Sequence, residues 1–419
     1  MSKNGGRRVW LITVGEPLPK FSAGDRAWRT GYLAGLLASQ GHDVTWWASS
    51  FDHFRREQLV SGSERVVVDP GLTLQFLKGR DYTRNVSIAR LVNHWQIARE
   101  FRRLAAALPR PDVILASFPT IELSREAVRF GRAQGIPTWL DIRDLWPDEM
   151  LDRVPRRLRP VGRWALAPMY AAAREALSGA TGLIAISNSF LSWGLAFARR
   201  ERRANDHVLP MGYTGKLDFP APDDATHAAL AALGVDPAKR IFWFAGTFVG
   251  NIDLGTVIEA ARTLRDHPQI QFVLSGTGER DKEWREQARG LPNIVFTGWA
   301  GKQALSCLAS MAWAGLGAYR KGASMSLPNK VFEYMSAGVP VLLSLGGETR
   351  ELVVENDIGL AYEAGDAASL RAAVLRIADD SALRARLSAN ARRLFDESFS
   401  PRSIYGRYAE VLTQTRVPS

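Results

Sequence analysis

A lysine, a glutamate and a proline interrupt the otherwise apolar run "SLPNKVFEYMSAGVPVL", Ser326 to Leu342. Pro328 has the fixed φ of a first helical turn, and Gly338 followed by Pro340 is a stop, so a short helix is expected over 328–337. Its N-terminus presents unsatisfied N–H groups and the positive end of the helix dipole, a setting for an anion such as a phosphate. Lys330 in that first turn opposes the dipole, and a bound anion would resolve the conflict. Glu333 follows at i+3. It either pairs with Lys330 on an exposed face or accepts two hydrogen bonds from a vicinal diol such as a ribose.

Other stretches put reactive side chains at expected strand ends. "VLSGTGER", Val273 to Arg280, places a small-residue turn after a strand, where backbone can approach a phosphate or a sugar. "TVGEPLPKFSAGDRAWR", Thr13 to Arg29, is a long loop pivoting on Gly15 and Gly24, at a position suited to holding a substrate. "WLDIRDLWPDEM", Trp139 to Met150, offers Asp141, Arg143, Asp144 and Asp148 beside Trp146, as a reactive cluster or as an internal Arg–Asp network; "SFPTIE", Ser117 to Glu122, ends the neighbouring strand. Neither half opens with G-x-G-x-x-G, and there is no P-loop and no Asp-x-Asp pair to hold a divalent metal on a nucleotide. His42 reads as turn surface, His267 as loop and His94 as a helix face, none with a partner at metal-ligand spacing.

These residues need a scaffold that brings strand ends together, and the chain alternates short apolar runs with helical periodicity, the βαβ pattern of parallel sheets. In the first half strands are expected at 9–14, 43–48, 72–77, 112–117, 138–141 and 182–187, with a helix over 25–39. "RIFWFAG", "QFVLSGTG", "NIVFTGW", "AGLGAYR" and "VPVLLSL" repeat the pattern in the second. At 419 residues the chain exceeds one ordinary core. The division expected is a Rossmann-like domain over 1–209, a Pro-, Gly- and Asp-rich connection over 210–239, a second such domain over 240–400, and a terminal helix over 401–419 that crosses back. Ligands are expected in a cleft between the domains, at the C-terminal ends of the strands.

With 46% hydrophobic and 23% charged residues the chain is globular. No apolar run reaches the roughly 18 to 20 residues of a membrane span, and Val9 to Val14 reads as a first strand rather than a signal peptide. A single cysteine, Cys307, excludes an internal disulfide framework and a multi-cysteine metal site. The net charge of +11 is concentrated in 99–111, 152–170 and 197–203, where Arg is mixed with Trp and Leu. Such stretches are either a patch for an anionic membrane surface or solvated helix faces. Without a recognised module the charge gives no nucleic-acid reading.

"LPNKVFEYMSAGVPVLLS", with "ELVVENDIGLAYEAGDAASL" downstream and "FAGTFVGNIDLGTVIEAA", "FVLSGTGER" and "NIVFTGW" upstream, resembles the donor-binding domain of the retaining family 4 glycosyltransferases of GT-B fold. "DIRDLWPD" and "ISNSF" resemble the first domain of the bacterial branch that builds cell-surface polysaccharides. The resemblance implies that Glu333 binds the ribose hydroxyls and that Asn329, Lys330 and Val331 receive the diphosphate. It sets Gly276, Thr277 and Gly278 beside the nucleotide, Trp299 at the base, Gly246 and Thr247 at the first loop of the donor domain, and Ser326 and Met325 at the sugar. Gly15, Gly24, Asp25 and Arg26 belong to the loop that approaches donor phosphate and acceptor. Arg143 and Asp144 occupy the region where many relatives carry a catalytic-site His-Asp.

This chain departs from that pattern in two places. Met325 stands eight residues before Glu333, where the family's first Glu holds the donor sugar, and "GTFVGNIDLG" lacks the Arg and Lys that help neutralise the diphosphate in many relatives. More of that charge then falls on Lys330. The resemblance implies metal-independent, cofactor-free transfer of a hexosyl or N-acetylhexosaminyl group from a nucleoside diphosphate sugar, UDP favoured, to a glycan or lipid-linked acceptor. The expected setting is cytoplasmic, peripheral on the inner face of the cell membrane. A nucleotide-sugar epimerase of the same fold and a catalytically silent nucleotide-binding subunit are the alternatives.

Overall fold

Runs such as RVWLI and DVTWWAS are apolar at successive positions, so each strand must be covered on both faces, as in a parallel sheet flanked by helices. The computed structural model, which describes residues 5–22, 27–84, 87–152, 154–212, 221–323 and 327–414, forms two such sheets. The strands are β1 (Arg8–Ile12), β2 (Asp43–Ser49), β3 (Phe51–Asp52), β4 (Glu57–Gln58), β5 (Arg65–Asp69), β6 (Leu72–Leu77), β7 (Val113–Phe118), β8 (Thr138–Ile142), β9 (Gly182–Ala185), β10 (His207–Val208), β11 (Arg240–Ala245), β12 (Ile270–Ser275), β13 (Ile294–Gly298), β14 (Ala312–Gly317), β15 (Val341–Leu343) and β16 (Gly359–Ala361).

Met1–Met211 with Ile404–Ser419 form one unit and Gly212–Ser403 the other. The first holds an eight-stranded sheet in the order β10-β9-β8-β7-β1-β2-β6-β5, parallel except where β5 pairs antiparallel with β6 at the edge. Trp10 on β1 and Trp47 on β2 meet edge to face at 4.8 Å, and Phe130 of the helix Ile121–Gln134 stacks on Trp10. Ile404, Tyr405, Tyr408 and Leu412 of the terminal helix Pro401–Gln414 are buried in this same unit. β5 escapes the sequence reading because its RVVVD run is half-exposed, with Val67 left in solvent.

The second unit is a six-stranded parallel sheet in the order β13-β12-β11-β14-β15-β16. The expected connection over 210–239 is not all connection. Asp223 caps the helix Asp224–Ala232, its Oδ1 accepting from the Thr226 N–H at 2.7 Å, and Leu230 is buried. Residues 213–220 lie outside the described residues. In each sheet the strand order reverses beside the first strand, between β1 and β7 and between β11 and β14, and such switch points open a crevice at the C-terminal strand ends. Among the described residues no helix is long and apolar enough to cross a membrane.

Candidate active site

In the second unit, the helix Asn329–Ser336 follows β14 and starts beside the C-terminal end of β11. Pro328 stands before it as the N-cap rather than inside the first turn, and makes no side-chain capping bond. Tyr334 fixes the helix to the strand: its hydroxyl accepts from the Ala245 N–H at 3.3 Å and lies 3.2 Å from the Trp243 carbonyl, to which it can donate. Gly315 on β14 is required beneath it, because a Cβ there would run into the Tyr334 ring. This clamp leaves Lys330 no choice of direction. Its ammonium donates to the Ala245 carbonyl, lies 4.1 Å above the Phe244 ring, and occupies the space that a Cβ on Gly246 would need.

Burial pushes Lys330 down to about 8, with Glu333 acting the other way. The surface ion pair between the two, one of the two readings of their spacing, is absent among the described residues. Glu333 is half-buried and its carboxylate has no hydrogen-bond partner among the described residues. Among the described residues the first turn of this helix therefore presents a cation with one bond made, amides without a side-chain cap, and an acceptor one turn further on. That set suits an anion joined to a diol.

The other donor-side residues divide by what they touch. A Cβ on Gly276 would collide with the Gly246 carbonyl oxygen, and one on Gly278 with that of Phe248. Their smallness therefore packs the loop after β12 onto the loop after β11, where the Phe248 N–H donates to the Thr277 carbonyl at 2.9 Å. Phe248 anchors both loops against Trp284 at 5.2 Å. Thr247 and Thr277 are exposed, as is Trp299 just past β13, 70% accessible. Asn329 is exposed at the helix start. Val331 is a correction: its side chain is core and its N–H bonds the Pro328 carbonyl at 3.1 Å, so it presents nothing to a ligand. Ser326 and Met325 lie outside the described residues.

In the first unit a cavity of about 350 Å³ opens at the switch point between β1 and β7, lined among others by Gly15, Glu16, Trp28, His53, Phe54, Arg90, His94, Arg143, Asp144 and Met211. Arg143 is a second correction. Its guanidinium is committed on three sides, to Glu16, to Asp141 Oδ2 at 2.8 Å and to Thr30 Oγ1 at 3.0 Å, so it shapes the wall instead of standing as a free cation. Glu16 also accepts from the Thr30 N–H at 2.9 Å, which ties the loop after β1 to the helix Arg29–Ser39. Beneath it Asp141, with no accessible surface, accepts from Arg29 Nη1 at 2.7 Å and from the Tyr408 hydroxyl at 3.0 Å. Burial favours its neutral form, but Arg29 and Arg143 hold it below the usual carboxylate range. Asp144 is exposed at the cavity; Gly24, Asp25 and Arg26 lie outside the described residues.

His94, read as a helix face, is on the face of the helix Ile88–Ala105 that is buried against the cavity. Its Nδ1 is 3.8 Å from Glu122 Oε2, its Nε2 is 3.4 Å from Arg90 Nε, and its ring stacks on Trp146. Burial, then Arg90 and His53, push it down to about 3. It enters the sequence only as a lone helical histidine; the helix Ile88–Ala105 turning this face inward is what finds it. Because the unfolded histidine titrates near 6.5, the unfolded chain binds the extra proton between pH 6.5 and 3, and stability falls as pH drops through that window. The His94 contribution is expected to be about 2–3 kcal/mol between pH 6.5 and 4. Denaturant melts of native and His94→Gln proteins across that range should show the variant's profile flatter by that amount.

Two largely parallel α/β units, each with candidate ligand groups at a switch point, fit the GT-B fold of glycosyltransferases. The chain belongs to family 4 of these enzymes: residues 27–212 match the glycosyl transferase 4-like domain and residues 239–380 match the glycosyl transferases group 1. It is 27% identical over 338 residues to WcaI of Escherichia coli (strain K12), a glycosyl transferase whose name ties it to colanic acid biosynthesis; the match covers 74% of this chain and 77% of that one. Among solved structures it is similar to sucrose-phosphate synthase from Thermosynechococcus elongatus, with TM-score 0.64, 18% identity and coverage of 97% and 98% of the two chains. Anabaena Alr3699/HepE in complex with UDP gives TM-score 0.64, 16% identity and coverage of 98% and 100%.

Proposed function

We propose that this glycosyltransferase moves a sugar from a UDP-sugar to a lipid-linked glycan acceptor in cell-surface polysaccharide synthesis, with retention of configuration and without a metal ion. The observation that carries the donor half is the Lys330 ammonium held at the end of β11, with Pro328 giving the helix start no side-chain cap and with Glu333 one turn on making no side-chain hydrogen bond among the described residues. A solved relative of this fold is in complex with UDP-glucose, and WcaI is named for a polysaccharide pathway.

In this reading Lys330 and the amides of the helix Asn329–Ser336 receive the diphosphate, and Glu333 takes the ribose hydroxyls. The acceptor hydroxyl oxygen bonds to the anomeric carbon as the bond from that carbon to the phosphate oxygen breaks. The proton passes to a phosphate oxygen on the same face, which retains configuration and needs no separate protein base. Charge grows on the leaving diphosphate, and the fixed cation and amides meet it there without reorganising. The cavity in the first unit takes the acceptor sugar, and exposed Trp28, Phe54 and Met211 of its lining suit a lipid-bearing aglycone. Arg143 is a positioning residue that holds Glu16 and Asp141 in the cavity wall. The protein works at the cytoplasmic face of an anionic membrane.

Glu333→Ala is expected to weaken UDP binding at least about tenfold while leaving pyrophosphate binding unchanged, since only the ribose contact is removed. Calorimetric titration with both ligands checks this, and equal UDP affinity in native and variant proteins would remove the ribose role. Incubating donor with and without acceptor separates transfer from epimerisation, because an epimerase remakes the donor with no acceptor present.

A further inference from the structure

We propose that a ridge formed by Leu158, Val161 and Trp164 seats the protein on an anionic lipid surface. It rests on the lipid-linked acceptor reading above and names the surface that would bring the enzyme to that acceptor. The three side chains are 55%, 64% and 81% accessible, a high exposure for large apolar groups. They lie on one short 3-10 turn, Arg156–Leu158, running into the helix Arg159–Ala165, and neither element has a buried residue. Spacing of three residues at 100° per residue keeps them within about 120° of one face. Helical backbone satisfies its own hydrogen bonds, so this face can enter a headgroup layer without stranding polar groups.

Charge identifies the partner. Between Asp152 and Glu175 the chain has six Arg and no acidic residue. Arg159 is steered by Asp152 at 3.1 Å and Arg163 lies over the Tyr170 ring at 5.4 Å, while Arg156 and Arg157 are exposed beside the ridge. Self-association through this face would set Arg against Arg, and three side chains fall well short of the roughly 800 Å² per partner of a stable protein interface. An anionic lipid surface meets both demands, with apolar depth for the ridge and negative charge for its flanks.

The other two basic stretches behave differently. Arg200 grips the buried Asp206 at 2.6 and 2.7 Å, which takes one arginine of the 197–203 cluster inward, and the exposed Arg199, Arg202 and Arg203 have no exposed large apolar side chain among them to enter a lipid surface. In 99–111, Arg103 is paired with Glu100, Arg110 reaches the Gln134 carbonyl, and Arg99 covers Trp95.

The test is co-sedimentation of the full chain with vesicles of phosphatidylcholine alone and of phosphatidylcholine with phosphatidylglycerol, at low and high salt. The native protein is expected to bind only the anionic vesicles and to be released by salt. Leu158→Ser/Val161→Ser/Trp164→Ser should lower partitioning at least about tenfold, and each of Arg156→Glu and Arg157→Glu about fivefold or more. UDP binding by these variants is expected to be native, since the ridge is remote in sequence from the donor-side groups. Native UDP binding together with lost vesicle binding thus separates this proposal from the enzymatic reading. Absence of native binding to anionic vesicles, undiminished binding by the triple variant, or a native dimer that the triple variant abolishes would each overturn it.

Discussion

Lys330→Met is expected to lower donor turnover roughly a hundredfold to a thousandfold, the range seen when one preorganised charge-stabilising donor is removed. Met matches the length of the lysine stem and keeps cover over Phe244, so the loss is electrostatic and not a packing defect. Stability should hold or rise. The native lysine pays desolvation in its half-buried seat, and an apolar side chain there does not. The measurement is release of nucleoside diphosphate from the donor by native and variant proteins of equal melting temperature. A Lys330→Met protein with native turnover would remove the ammonium from the mechanism. A loss accompanied by a lower melting temperature would instead point to the Ala245 contact, which anchors the helix.

The largest expected effect on stability is at Asp141. Asp141→Ala should cost about 3–5 kcal/mol, because it leaves the buried Arg29 guanidinium without its counter-charge and Tyr408 without its acceptor. Against a typical domain stability of roughly 5–15 kcal/mol that would bring the first unit close to unfolding at ambient temperature. Arg29→Met combined with Asp141→Leu should recover most of the loss, since no charge is then left unpaired. The sign with pH follows from the depressed native value. Asp141 contributes stability above the ordinary range of an aspartic acid and loses it as pH falls through its lower native value. Denaturant midpoints of the transition reporting on the first unit test both variants, and a change below about 1 kcal/mol in Asp141→Ala would contradict the buried-pair account.

Local patterns carried much of this in the sequence. Continuous apolar runs and their spacing pointed to parallel sheets, and a charged first turn in an apolar run pointed to Lys330 and Glu333. What could not be read locally depends on partners far along the chain. Asp141 and Arg143 were visible as ionisable residues at one strand end, but choosing between a reactive cluster and an internal network needed Glu16, 127 positions from Arg143, and Tyr408, 267 from Asp141. The glycines after β12 looked like room for a ligand; the neighbouring loop fills much of that room. His94 carries no local signal of burial, and β16 is only three residues long. Arg density left all three basic stretches open as a membrane-surface patch or as solvated helix faces; only the one at Leu158 to Trp164 adds a row of exposed large apolar side chains, while Asp206 draws Arg200 of another inward.

The central claim is that Lys330 is the diphosphate ligand, and titration of UDP into native and Lys330→Met proteins at pH 7 and pH 9 tests it most directly. A bound anion holds the proton that burial tends to expel, so native affinity should fall about tenfold between pH 7 and pH 9 as the free ammonium deprotonates around 8. Lys330→Met should bind UDP weakly at both pH values and lose this dependence, while uridine, without phosphates, should bind both proteins alike. Equal UDP affinity in the two proteins at pH 7 would contradict the claim.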